Sequence, residues 1–350
     1  MPATAGHGCR QAKTRTALKK ILIIKMSALG DVFMALPHID AILAQYVKDQ
    51  VWIITSPPFQ DLFVNHPRLN VSVLDRKKFF GRENSYAKIL WVRKQRFDAV
   101  YDLQGNRTSR LLVRFSNSPI RVGTQPLKIY NFHPERFYDQ DTPQNVFERL
   151  NETIASAGLP PAAAIARLYP SEADLSRLAA WKAARNLETG CFVLLHAGSS
   201  GDWPSKRWPE KYFVEFARLV EKSGLNCVWI GSEADRGINR ALSKDIGIDA
   251  TGELSVLQLY LLGKEARFAV TNDSGPMHIL AAAGLPVYSF FGPTNWVRSH
   301  AAGQAERVFS IDMDCSPCFL KRCLPQKNHA CMKKISPEYV YRKIRKETGL

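Results

Sequence analysis

The sequence lacks the long apolar segments and the glycine-rich loops that mark several large protein classes. No run of about 18 or more apolar residues occurs, so no membrane-spanning helix is predicted. The loop Lys25–Asp31, which follows the first apolar segment, contains one glycine. It therefore matches neither a dinucleotide-binding fingerprint nor a Walker loop, and a nicotinamide enzyme or a P-loop ATPase is disfavoured.

Signals for export and for a disulfide scaffold are also scarce. Residues 1–19 are basic and small and contain no apolar core, so we expect a disordered basic tail rather than a signal peptide. Four of the seven cysteines lie between residues 315 and 331, and their distribution does not require a disulfide framework. A reduced, cytoplasmic protein is the corresponding expectation.

Positive charge is unevenly distributed along the chain. The net charge is +16, and residues 1–170 contain 24 Lys+Arg against 13 Asp+Glu, whereas residues 171–350 contain 24 against 19. A basic N-terminal half should attract nucleic acid, an acidic membrane surface or an acidic substrate. Because no recognisable nucleic-acid-binding motif accompanies this charge, we do not expect a nucleic-acid partner.

Short apolar segments alternate with helical patterns in both halves of the chain. Strands are predicted at 20–25, 51–55, 71–74, 99–102, 191–195, 226–230, 268–270 and 287–291. Such alternation is typical of parallel sheets that are covered by helices on both faces. The length of 350 residues allows two domains, and the segment Leu168–Trp181 connects the two halves.

The stretch Phe268–Thr294 predicts a ligand site. An apolar strand runs into a polar turn, and Pro276 then occupies a position that suits the first turn of a helix. Free backbone N–H groups at such a turn attract anions; Gly275 allows close approach, and Ser274 adds a hydroxyl donor. Asp273 has two interpretations, because a carboxylate there either caps the helix or binds a ligand group that is not a phosphate.

Two further strand exits in the C-terminal half carry one charged group each. Lys206 and the helix N-terminus would hold a diphosphate, and Glu233 would accept a hydrogen bond from a ribose hydroxyl. Together with Asp273, these residues favour a nucleotide-binding edge of the sheet.

The N-terminal half offers an acid–base group and cationic loops. Asp31 follows a glycine after the first strand, where it is either a helix residue favoured by the macrodipole or a general base aimed into a cleft. Basic clusters follow the third and fourth strands, and they are either solvated surface or contacts to a ligand. Their members are Arg76, Lys77, Lys78, Arg82, Arg107 and Arg110.

Four cysteines near the C-terminus have close, metal-like spacing. Cys315, Cys318, Cys323 and Cys331 form a C-x2-C-x4-C-x7-C pattern. Four thiolates are able to hold a structural Zn²⁺ or iron ion. Reduced thiols in a loop, or a local disulfide, fit the same pattern.

Several segments together resemble one family. KMSALGDVFMALP, HAGSS with KRWP, IGSE, VTNDSGPMH and FFGPT occur in order, and the similarity covers about residues 20–345. They resemble the ADP-heptose:lipopolysaccharide heptosyltransferases, glycosyltransferase family 9. The resemblance implies the GT-B fold, an α/β class in which two Rossmann-like parallel-sheet domains face a cleft. It further implies an acceptor-binding domain over 20–170, an ADP-sugar domain over 171–335, and a terminal helix over 336–350 that crosses back to the N-terminal domain.

The resemblance also implies an activity, which is inverting transfer of heptose from ADP-heptose to the inner core of lipopolysaccharide. The acceptor would be Kdo or the first heptose, no metal would be needed for the chemistry, and the enzyme would touch the inner membrane peripherally. A relative with another donor, or with a protein or other glycan acceptor, is the alternative. Asp31 would be the catalytic base. The implied donor-binding residues are Ser199, Ser200, Lys206, Glu233, Asp273, Ser274, Gly275 and His278. The implied acceptor-binding residues are Arg76, Lys77, Lys78, Arg82 and Arg107.

Overall fold

The structure is a computed structural model, and it describes residues 18–78, 80–139, 142–199 and 203–350. Residues 1–17, which make up most of the predicted basic tail, lie outside the described residues. Five apolar segments of the N-terminal half form a parallel sheet. They are β1 (Lys20–Ile24), β2 (Gln50–Thr55), β3 (Leu69–Val73), β4 (Ala99–Asp102) and β5 (Ile120–Gly123). Their order is β3-β2-β1-β4-β5, so the strand order reverses between β1 and β4.

Four helices cover this sheet. They are α1 (Leu29–Gln45), α2 (Ser85–Gln95), α3 (Arg107–Ser116) and α4 (Val146–Ala155). On one face, α1 and α4 pack together, and His38 of α1 lies 3.1 Å from the Asn151 side-chain oxygen of α4. On the other face, α2 and α3 pack together and bury Val92 and Leu112 in a separate core.

The C-terminal half repeats this architecture with a six-stranded parallel sheet. Its strands are β6 (Phe192–His196), β7 (Asn226–Trp229), β8 (Ile248–Asp249), β9 (Ala269–Asn272), β10 (Val287–Phe290) and β11 (Val308–Phe309). Their order is β11-β10-β9-β6-β7-β8, which reverses between β6 and β9. Its helices are α5 (Glu172–Ala183), α6 (Glu210–Glu221), α7 (Arg236–Leu242), α8 (Val256–Gly263), α9 (Gly275–Ala282), α10 (Trp296–Ser299), α11 (Ala330–Lys333) and α12 (Pro337–Thr348).

The prediction of two parallel-sheet α/β domains is thus confirmed. In such sheets, ligands bind outside the carboxyl ends of the strands where the strand order reverses. The loops that follow β1 and β4 flank this position in the N-terminal domain, and the loops that follow β6 and β9 flank it in the C-terminal domain.

The two domains meet through the first turns of α1 and α9. A Cβ atom added at Gly275 would lie 3.0 Å from Leu29 Cδ2, and one added at Gly30 would lie 2.5 Å from His278 Cδ2. Glycine at both positions therefore permits a close approach of the two helix N-termini. One hydrophobic core is continuous through α1 and α9 across the domain boundary.

The terminal helix does not follow the prediction that it crosses back to the N-terminal domain. Instead, α12 packs against α6, and its residues Val340 and Ile344 are buried in the C-terminal core. Their spacing places both apolar side chains on one face, and this face belongs to the same buried core as Phe216 of α6. None of the helices in the described ranges has both the length and the apolar character needed to cross a membrane.

Candidate active site

An ion pair joins the loops that follow β6 and β9. Lys206 Nζ lies 2.7 Å from Asp273 Oδ2, and the Thr294 hydroxyl donates a hydrogen bond of 2.7 Å to the same oxygen. Asp273 is only 7% exposed. It does not cap α9, whose N-cap residue is Ser274 and which has no side-chain cap hydrogen bond. The carboxylate therefore contacts Lys206 and Thr294 rather than the end of the helix.

Asn272, the last residue of β9, fixes the backbone around this pair. It is fully buried, and its Nδ2 donates to the carbonyl oxygens of Ala197 (2.8 Å) and Gly198 (3.0 Å). Its Oδ1 accepts from the backbone N–H of Trp208, at 2.9 Å. One side chain thus connects three segments of the site. The sequence prediction missed this role, because the only signal was a polar residue at the end of an apolar strand.

A buried histidine, His196, links Ser274 at the N-terminus of α9 to the loop after β7. His196 Nδ1 lies 3.0 Å from the Ser274 hydroxyl, and its Nε2 lies 3.7 Å from Asp235 Oδ2. Burial acts to raise the pKa of Asp235, but the hydrogen bond and charge of His196, together with Ser232, outweigh it and lower the pKa. Gly198 lies so close to Asp235 that an added Cβ would be 1.9 Å from its Oδ1.

Three other residues predicted to bind the donor, Ser199, Ser200 and Glu233, are not part of the Lys206–Asp273 pair. The Ser199 hydroxyl accepts from Arg207 Nε at 3.0 Å and donates to the Trp203 carbonyl oxygen at 2.9 Å. Ser200 lies outside the described residues. Glu233 is exposed after β7 and pairs with Arg236, which lowers the pKa of its carboxyl.

Asp31 lies in the first turn of α1, at the reversal point of the N-terminal sheet. It is half-buried, and its Oδ2 accepts a weak hydrogen bond of 3.3 Å from the Ala28 N–H. The preceding loop is held in place by Gln104 Oε1, which accepts from the backbone N–H groups of Met26 (2.8 Å) and Ser27 (2.9 Å). These two hydrogen bonds join the loop after β4 to the loop after β1, which leads into Asp31.

His278 of α9 lies against the first turn of α1, where a Cβ atom added at Gly30, the residue before Asp31, would lie 2.5 Å from its Cδ2. Burial lowers the pKa of His278, and the carboxylates of Asp273 and Asp31 both oppose that shift. Its Nδ1 has no hydrogen-bond partner among the described atoms. Because His278 contacts the residue before Asp31 and lies on the helix that follows Asp273, the groups predicted for the acceptor side and for the donor side lie at one domain contact.

Two cations that the sequence prediction missed lie near Asp31. Burial lowers the pKa of Lys25, whose Nζ donates to the Leu103 carbonyl oxygen at 3.2 Å, and Asp31 opposes the shift. Burial also lowers the pKa of Arg149, Arg298 adds to this effect, and Asp31 again opposes it. By contrast, the five predicted acceptor cations are exposed, and Lys78 among them pairs with Glu83. These five are Arg76, Lys77, Lys78, Arg82 and Arg107.

The four C-terminal cysteines line one cavity of about 250 Å³. Burial raises the pKa of Cys331 to about 11, and the charges of Cys323, Cys318 and Cys315 act in the same direction. Within the described part of the chain, however, no group of three or more His, Cys, Asp or Glu side chains is arranged to hold a metal ion. The structural zinc or iron ion at these thiols therefore stays a prediction.

Two facing parallel-sheet domains, with the site at both strand reversals, form the GT-B fold. Solved structures share this fold. A glycosyl transferase family 9 protein from Veillonella parvula aligns with a TM-score of 0.77 and 20% identity, over 94% of this chain and 97% of its own. The ADP-heptose lps heptosyltransferase II of E. coli aligns with a TM-score of 0.70 and 21% identity, over 93% and 98% respectively.

Sequence comparison identifies the family. The sequence model of glycosyltransferase family 9 (heptosyltransferase) matches residues 89–329. Lipopolysaccharide heptosyltransferase 1 of Pseudomonas aeruginosa is 30% identical over 328 residues, which cover 88% of each chain. The chain belongs to glycosyltransferase family 9 and is an enzyme of the heptosyltransferase type, so the predicted family is confirmed.

Proposed function

We propose that this enzyme transfers heptose from ADP-heptose to the inner core of lipopolysaccharide, onto either Kdo or the first heptose. The names of its relatives support this choice, since the similar protein of Pseudomonas aeruginosa is a lipopolysaccharide heptosyltransferase. The donor named for the E. coli structure is ADP-heptose. The excess of Lys and Arg in residues 1–170 suits an acidic acceptor such as Kdo.

The observation that carries the mechanism is the contact between the first turns of α1 and α9, which brings Asp31 and the Lys206–Asp273 pair to the same domain contact. In our proposal, Asp31 removes the proton of the acceptor hydroxyl, and the oxygen attacks the anomeric carbon of the donor from the face opposite ADP. The bond from that carbon to the ADP oxygen breaks, the configuration inverts, and the proton stays on Asp31. Lys206 neutralises the charge that develops on the diphosphate, so the reaction requires no metal ion.

Each donor group has a proposed contact. The diphosphate binds beside Ser274 at the N-terminus of α9, where free backbone N–H groups attract an anion. Asp273 accepts hydrogen bonds from heptose hydroxyls, and Glu233 accepts one from the ribose after its pairing with Arg236 is exchanged. A helix N-terminus together with a lysine provides both backbone donors and a full charge for the anion.

We further propose that the acceptor lipid is reached by peripheral contact with the cytoplasmic face of the inner membrane. Neither α2 nor α3 contains an acidic residue. The outer faces of these neighbouring helices combine large apolar and cationic side chains at helical spacing, all exposed. They are Tyr86, Leu90, Arg93 and Lys94 on α2, and Arg107, Leu111, Arg114 and Phe115 on α3. Such a face suits anionic headgroups, and co-sedimentation with phosphatidylglycerol vesicles tests it.

The activity is tested with purified enzyme and ADP-heptose, by following ADP release with Kdo-lipid A and with its heptosylated product as separate acceptors. Turnover with one of them identifies the acceptor. Turnover with neither, together with binding of UDP- or GDP-sugars in a thermal-shift screen, would reject the proposed donor and favour another substrate pair within the family.

A further inference from the structure

The cysteine segment, residues 315–331, lies directly against the loop that carries Lys206. Every polar group of Ser205, the residue before Lys206, is bound by this segment. The Ser205 N–H donates to the Lys321 carbonyl oxygen at 3.2 Å, and its hydroxyl donates to the Leu320 carbonyl oxygen at 2.6 Å. Its carbonyl oxygen lies 2.6 Å from His329 Nε2. A carbonyl oxygen only accepts hydrogen bonds, so Nε2 carries the proton in this contact.

The same segment also holds the loop that reaches Asp273. The Phe319 N–H donates to the Pro293 carbonyl oxygen at 2.7 Å. Cys331 packs on Gly292 so closely that a Cβ added there would lie 2.7 Å from its sulfur. Thr294, which follows Pro293 in this loop, donates a hydrogen bond from its hydroxyl to Asp273. Both members of the Lys206–Asp273 pair are thus attached to one element outside the cleft.

We propose that the cysteine segment is a brace that sets the position of Lys206 against Asp273, with His329 as a positioning residue for the donor diphosphate. Lys206 ends a short turn, Pro204–Lys206, and its Cα is one peptide unit, about 3.8 Å, from that of Ser205. A shift of Ser205 is therefore transmitted directly to the lysine backbone. The inference rests on the proposed function only in assuming that Lys206 binds a diphosphate.

Two substitutions of His329 isolate its hydrogen bond. His329 has a φ of 53°, so His329→Leu and His329→Gln carry a similar backbone cost, whereas only Gln retains an N–H donor. We expect His329→Leu to weaken ADP binding about fivefold, the factor that corresponds to one ordinary hydrogen bond, and His329→Gln to bind nearly as well as the wild type. Ser205→Ala, which removes the hydroxyl contact to Leu320, should weaken binding similarly if His329→Leu fails to fold.

A double-mutant cycle separates positioning from general destabilisation. In a Lys206→Met background, His329→Leu should no longer change ADP affinity, because the lysine that it positions is absent. Titration calorimetry with ADP measures each corner of the cycle, and the KM for the acceptor should stay constant. An equal loss of affinity in the presence and absence of Lys206 would overturn the brace, as would unchanged affinity in both His329→Leu and Ser205→Ala.

Inorganic pyrophosphate serves as a second probe, because it presents a diphosphate to Lys206 without a nucleoside. If the wild type binds pyrophosphate but not ADP, the proposed donor is rejected, and the same cycle measured with pyrophosphate still tests the brace. If His329→Leu leaves pyrophosphate affinity unchanged while ADP-heptose supports turnover, the brace is overturned and the proposed function stands.

Discussion

Replacement of Lys206 by methionine separates the stability of the site from its affinity for the donor. Met lacks the charge but has a similar unbranched length, so Lys206→Met leaves the Asp273 carboxylate with the Thr294 hydroxyl as its remaining contact among those described. A hydrogen bond to a charged group contributes about 1.5–3 kcal/mol, and loss of one partner of a buried pair costs about 3–5 kcal/mol. The lysine side chain is 17% exposed, so water offsets part of the loss, and we expect a cost of about 2 kcal/mol.

That cost should be visible on thermal unfolding. If the C-terminal domain unfolds as a unit, about 2 kcal/mol corresponds to a decrease of roughly 5 °C in the unfolding midpoint. The double variant Lys206→Met, Asp273→Asn replaces the orphaned carboxylate with a neutral amide, so its midpoint should recover most of the loss. Affinity for ADP should remain about 10- to 100-fold weaker in both variants, because the phosphate has lost its cation.

Scanning calorimetry and titration with ADP give the two quantities on the same samples. Equal midpoints for the wild type and Lys206→Met would show that the ion pair does not stabilise the fold. Recovery of ADP affinity in the double variant would refute the assignment of Lys206 to the diphosphate, since the double variant lacks that cation as well.

Three other predictions concern the domain contact, the pH dependence and the thiol cavity. Gly30→Ala should lower kcat/KM by roughly 100-fold, because the added methyl group displaces α1 against His278. The control Gly237→Ala, whose added Cβ meets open space, should be neutral. Equal activities of the two variants would contradict the contact between α1 and His278. Burial lowers the pKa of His38 from 6.5 to about 4, so between these pH values the unfolded chain binds more protons than the folded protein does. The free energy of unfolding should therefore fall by about 3 kcal/mol as the pH falls from 6.5 to 4. His38→Gln, which cannot titrate, should remove this part of the slope in urea titrations, and an unchanged slope would exclude His38. Chelation with EDTA should leave turnover unchanged. Loss of turnover that added metal restores would contradict metal-free chemistry. Elemental analysis of the purified protein tests whether the four thiols carry zinc or iron.

The sequence predicted the elements whose apolar residues form uninterrupted strands, such as β1 and β9, and the α9 turn with its proline and glycine punctuation. It missed α3, because Arg107 and its polar neighbours were interpreted as part of a strand-exit loop. In the structure, Asn106 caps that helix through the Ser109 N–H, and Leu112 and Val113 are buried on its inner face. It also misplaced α12, because the Val340–Ile344 stripe specifies a buried face without specifying the helix that covers it.

The sequence indicated several residues of the candidate site, but it did not indicate which side chains contact one another. Lys206, Asp273 and Asp31 each follow a strand, and parallel topology brings the ends of such strands to one edge. The link from Asn272 to the backbone at 197–198 and 208 depends on the register of three loops, which no local pattern encodes. The cations Lys25 and Arg149 were missed for a similar reason, since a lysine at a strand end and an arginine within a helix both have the appearance of ordinary surface residues.

The most direct test of the central claim is the single-turnover rate of Asp31→Asn with ADP-heptose and the accepted lipopolysaccharide core acceptor. Asn keeps the shape of the side chain but cannot take a proton, so the rate should fall about 10²- to 10⁴-fold while the Kd for ADP stays at the wild-type value. A wild-type rate in Asp31→Asn would contradict the assignment of Asp31 as the base that activates the acceptor across the cleft.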